Sequence, residues 1–136
     1  MFVDAQTQLD SAHAYTATGL STNTYDLGAV PTGGTANGAA VDPGNGEPLA
    51  VVIVVTVAAK VSGTTETYEF DLIQSANANL STADILLAMP FTNALAASLL
   101  TAGAIIVIPI PPMRITKRYL GTNFIGANTP TITVTS

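Results

Sequence analysis

Leu49-Ala50-Val51-Val52-Ile53-Val54-Val55-Thr56-Val57 is the stretch on which the fold turns. From Val51 to Val57 every residue is β-branched. Such side chains lose rotamer freedom in a helix and pack well on a pleated surface, so the run predicts a strand. No polar alternation interrupts it, which predicts a central strand buried on both faces or set at a sandwich interface. Downstream, Thr65 to Ile73 alternates cleanly. Tyr68, Phe70 and Leu72 are expected on a core face, with Thr67, Glu69 and Asp71 on a face in water. Upstream, the Thr- and Tyr-rich run from Tyr15 to Gly28 suits half-exposed strands punctuated by Gly19 and Gly28.

The remaining segments extend the same pattern. Ser81-Thr82-Ala83-Asp84 resembles a capping box ahead of Ile85-Leu86-Leu87, where a helical turn and a short strand fit equally well. Ala94 to Leu100 is the best helix candidate, stopped by Gly103. Ala104 to Ile110 reads as a strand ended by Pro111-Pro112, and Arg118 to Ile125 and Thr131 to Thr135 read as two more. About six to eight short strands with at most one or two short helices predict an all-β fold. The expected architecture is an antiparallel β-sandwich or jelly roll. Residues 1–14 are read as an N-terminal arm and residues 15–136 as a single domain, with a long Gly/Pro/Asn/Ala loop at about 31–48. No internal repeat is evident.

Composition narrows the function. With 48% hydrophobic and 10% charged residues, the 136-residue chain is far from disordered, and much of its surface must be neutral. A neutral, rather apolar surface suggests contact with other protein. Four basic against nine acidic residues, net −5, argue against nucleic acid as a partner. Ala94 to Met113 has the length of a membrane span, but Pro109, Pro111 and Pro112 break it, so no membrane partner is expected. The N-terminus shows no signal peptide.

Catalytic inventory is thin. Cysteine is absent, which removes thiol nucleophiles and thiolate metal sites. His13 is the lone histidine and reads as a surface or interface residue. Glu69 and Asp71, with Glu66 nearby, could in principle form a hydrolytic carboxylate pair, but they read as the solvated side of a strand. The glycines at 33, 34, 38, 44 and 46 lack the Gly-Lys-Ser/Thr of a phosphate loop. The chain is therefore expected not to be an enzyme, with no catalytic, metal or cofactor residues assigned and no cofactor. Arg114, Lys117 and Arg118 hold three of the four basic residues within five positions. They read either as edge charges and salt bridges within the fold, or as a dock for an acidic patch on a partner. Phe2 and Val3 begin the arm as an apolar pair expected to bury against a neighbouring subunit.

Several short stretches carry a family resemblance. They are Met1-Phe2-Val3-Asp4 to Gln8, Ala14-Tyr15-Thr16-Ala17-Thr18-Gly19-Leu20-Ser21-Thr22-Asn23, Tyr25-Asp26-Leu27-Gly28, Gly44-Asn45-Gly46-Glu47-Pro48-Leu49 and Arg118-Tyr119-Leu120. In this order they resemble the small jelly-roll decoration, or cement, proteins of tailed bacteriophages, of the type found in a Bordetella podovirus. The resemblance implies a non-enzymatic virion protein, made in the host cytoplasm, that binds the outer capsid surface and stabilises the shell. Its implied partners are the major capsid protein and further copies of itself, as a homodimer or a trimer. The candidate capsid or subunit interface is then Phe2, Val3, Arg114, Lys117, Arg118 and Tyr119. The chain departs from the family pattern in a longer Pro31 to Gly44 loop and an extra Ala94 to Ala102 segment. A β-sandwich surface module binding glycans or host surfaces is the alternative, weakened by the absence of Trp.

Overall fold

The apolar strands cannot satisfy their backbones alone, and in the structure they pair antiparallel in two sheets. The computed structural model describes residues 7–28, 49–63, 65–111 and 114–136. In chain order its elements are β1 (His13–Tyr15), β2 (Gly19–Leu20), β3 (Tyr25–Asp26), β4 (Ala50–Val57), β5 (Thr67–Ser75), β6 (Asp84–Phe91), α1 (Asn93–Leu99), β7 (Ile105–Pro109), β8 (Tyr119–Ala127) and β9 (Ile132–Thr135). One sheet runs β1-β9-β4-β7 and the other β2-β8-β5-β6, with β3 also on β8. Because β2 and β3 both pair with β8, they act as one interrupted strand. First then pairs with last (β1·β9), second with second-last (β2 and β3 with β8), and third with third-last (β4·β7), leaving β5·β6 as the innermost hairpin. That nesting is a long hairpin rolled over on itself, a jelly roll.

Alternation decides which side chains meet between the sheets. Ile53 and Val55 on β4, Ile106 and Ile108 on β7, and Ile132 and Val134 on β9 face Tyr68, Phe70, Leu72, Leu120, Phe124 and Phe91 across the core. Phe124 is the aromatic hub, with ring centroids 4.8 Å from Tyr15, 5.3 Å from Phe70 and 6.1 Å from Tyr68. Offset and tilted ring pairs of this kind contribute beyond their buried area. A bulge between Leu72 and Ile73 leaves Leu86 as the extra residue of β6. Leu86 is consequently buried while its neighbour Ile85 is exposed.

The apolar 94–113 stretch is divided between α1 and β7, and no helix among the described residues is long and apolar enough to cross a membrane. Helix α1 starts where Thr92 accepts a hydrogen bond from the Leu95 amide, and Ala96 and Leu100 anchor it to the core. Gly103, at φ +85°, turns the chain into β7, a conformation costly for any residue with a Cβ.

Two open readings are decided and two expectations change. Residues 81–84 do not open a helix: Leu80 and Thr82 take positive φ in a turn, and 84–91 is the strand β6. Strand β4 takes the sandwich-interface placement of the two expected: one of its faces lies in the sandwich, and Val52 and Val54, on the other, are half-buried. Asp71 does not face water, because β5 is the middle strand of its sheet and the rows on β6 and β8 close over that position. The packed fold also starts before residue 15. Leu9 and Asp10 are buried, their amides donate to the Ser136 carbonyl at 2.7 and 3.0 Å, and β1 begins at His13. Phe2, Val3 and the expected 31–48 loop lie outside the described residues.

Candidate interaction surface

The register of the β1-β9-β4-β7 sheet determines what its outer face presents. Opposite Val54 stands Ile105, opposite Val52 stands Val107, and opposite Ala50 stands Pro109. On the other side of β4, Val54 meets Thr135. A bulge between Val55 and Val57 then brings Val57 level with Thr133 on the same outer face. Ala14 of β1, opposite Thr133, completes the row. This face carries no charged residue among those positions. Ile105 is 64% exposed, Val57 56% and Val107 52%. A single exposed apolar residue on a monomer is ordinary, whereas a contiguous valine and isoleucine row is the kind of surface that contact sites present. Strand β7 is also an edge of its sheet and itself carries neither Lys nor Glu.

The basic cluster is engaged inside the fold. The Arg118 guanidinium forms two 2.7 Å bonds to the Asp26 carboxylate, joining β8 to β3, and lies 5.0 Å from the Tyr119 ring centroid. Those bonds, with a further one from the Gly28 amide, hold the Asp26 carboxyl at about 2, well below the usual carboxylate range. Lys117 pairs with Asp84 at 2.7 Å, and Arg114 donates to the Leu86 carbonyl at 3.3 Å. Arg114, Lys117, Arg118 and Tyr119 thus lie around one side of the β8 start, where the two cations with carboxylate partners brace neighbouring strands.

The other polar candidates are also built into the scaffold. Glu66 is buried; its own backbone amide, then Ser62 Oγ and the Gly63 amide, donate to its carboxylate and hold it below its ordinary pKa, and Asn93 Nδ2 also donates to it at 2.8 Å. Glu66 thus acts as a clamp that ties Ser62 and Gly63 to Asn93 of α1. His13 bonds Thr22 Oγ1 at 2.7 Å, stands 3.6 Å from Asp10 Oδ1 and packs on the Tyr15 ring. Buried Asp10 accepts from the Tyr15 hydroxyl and the Thr22 amide, both at 2.8 Å, tying β1 to the segment after β2. Burial, reinforced by Asp10, raises the Tyr15 pKa. Among the described residues no three His, Asp or Glu side chains gather as a metal site.

The sequence reading missed the outer face of β4 and β7 as a site. Its signal was present in the unbroken Val51 to Val57 run, read there as burial on both faces or a place at a sandwich interface. A family model described as Bbp16 matches residues 9–135. The chain belongs to the Bbp16 family. The Bbp16 match starts at Leu9, the first buried residue among those described, and runs through the last residue of β9, so it spans β1 to β9. The name Bbp16 points to a Bordetella phage protein, in keeping with the phage class of the resemblance. No curated protein matches this Bbp16-family chain.

Proposed function

We propose that this Bbp16-family protein is a virion structural protein that binds the outer surface of a phage capsid and stabilises it as a decoration protein, without catalysis. The observation that carries this reading is the uncharged outer face of β4 and β7, with Ile105 and Val107 more than half exposed. A strand run apolar on both sides leaves one face partly exposed among the described residues, and a permanent partner would complete its burial. The low charge content favours standing contact with protein over a freely diffusing life. The partners in this reading are the major capsid protein and neighbouring copies of the chain.

The test uses the parent phage's capsids, stripped of this protein and then mixed with it. Negative-stain microscopy should show added density on the shell, co-sedimentation should saturate at a stoichiometry set by the lattice, and the shells should resist heat better. Capsids that neither bind the protein nor gain stability would refute the proposal.

A further inference from the structure

The outer face of the other sheet holds a different kind of feature, well away from the β4 and β7 surface. Asp71 lies at the middle of β5, the central strand, and its side chain has no solvent exposure (0%). Its Oδ2 accepts one long hydrogen bond, 3.4 Å from Asn123 Nδ2. Its Oδ1 is buried with no hydrogen-bond partner. Two residues back stands the half-buried Glu69, and the two-residue period of a strand puts its carboxyl on the same face of β5, where its charge disfavours ionisation of Asp71. A buried carboxylate with an orphaned oxygen needs neutralising, either by a cation or by a proton.

Among the described residues, the register sets no cation opposite the pair. Facing Asp71 and Glu69 from β6 are Ala88 and Pro90. Facing them from β8 are Asn123 and Ile125. None of the four titrates. Lys117 and Arg118 are paired with Asp84 and Asp26, and Arg114 reaches the Leu86 carbonyl. No ion pair among the described residues includes Glu69 or Asp71.

We propose that Glu69 and Asp71 form a proton-binding site in which the two carboxyls share one proton, closing the outer face of the β6-β5-β8 sheet when protonated and loosening it when the proton leaves. A protonated carboxyl donates an O–H to the other, so the orphaned oxygen gains a partner and the buried negative charge is halved. Burial, and then the charge of Glu69, push the Asp71 carboxyl up to about 6. In the unfolded chain an aspartate titrates near about 3.9. The folded value is the higher one, so the stabilisation is fully present below about pH 4 and is lost as pH rises through about 6. The site thus links the rigidity of one sheet to pH, and it operates in the free protein whatever the opposite sheet binds.

The experiment is a carboxyl carbon-13 titration of the folded protein by NMR, with thermal melts from about pH 4.5 to pH 8. In the parent, Asp71 should titrate near 6, and Tm should fall by several degrees across that range. Glu69→Gln should lower the Asp71 midpoint towards the ordinary value, and Asp71→Asn should flatten the Tm profile and melt above the parent at about pH 8. Should Asp71→Asn fail to fold, the parent titration and Glu69→Gln decide the matter. An Asp71 that titrates as an ordinary aspartate in the parent would overturn the proposal. So would millimolar calcium raising the parent's Tm at about pH 8, which would make the pair a cation site.

Discussion

Replacing Ile105 and Val107 together by lysine tests the outer face of β4 and β7 most directly. These residues are 64% and 52% exposed, so a little over half of each side chain remains to be buried by a partner. Full burial of such a residue contributes about 1.5–3 kcal/mol, which leaves about 1–2 kcal/mol for each here. Together the two account for about 2–4 kcal/mol of binding, or roughly 30-fold to 700-fold in affinity. Lysine also places charge in a neutral contact, so this range is a lower bound. The folded protein should hardly notice, because both side chains point away from the core and exposed substitutions move stability by about 0.5 kcal/mol or less. Co-sedimentation with stripped capsids at graded protein concentrations measures the affinity, and a thermal melt checks the fold. Parent binding should also be nearly indifferent to salt, since the face has no charges to screen. A correctly folded double variant that binds capsids as tightly as the parent would refute the assignment of this face.

Phe124→Ala should destabilise the fold by about 3–5 kcal/mol in a denaturant melt, because it removes the ring shared by Tyr15, Tyr68 and Phe70. Gly126→Ala should cost about 1–3 kcal/mol in the same assay: the new Cβ would overlap the stiff Pro130 ring and stand 2.9 Å from Phe124 Cε1. Arg118→Ala should lower Tm slightly at neutral pH. Since Asp26 is held near 2 in the fold, below its unfolded value, that difference should be present above about pH 4 and vanish as pH falls through about 2. The same difference should shrink in high salt, because the pair is exposed.

Some of this molecule was legible locally. The β-branched run in β4, the alternation of β5 at Tyr68, Phe70 and Leu72, and the Ala/Leu helix ending near Gly103 are short-range patterns, and each formed the element expected. Backbone stiffness and side-chain period act within a few residues, so a sequence displays them directly. The absence of cysteine and the low charge likewise follow from composition alone.

Other features depended on which strand lies beside which. Asp71 reads as a solvated residue because alternation says only that it opposes Phe70; its burial comes from β6 and β8 flanking β5 on both sides. The Arg118–Asp26 pair spans 92 positions and exists only because β3 lies against β8. Val57 joins the Ile105 and Val107 face through a bulge that its own sequence does not announce. A strand's pattern sorts side chains into two faces, whereas covering either face is decided by partners far away in the chain. For that reason the two-sided apolar character of β4 was plain in the sequence, and only the tertiary structure could show that, among the described residues, one of its faces packs into the sandwich while the other stays half-buried.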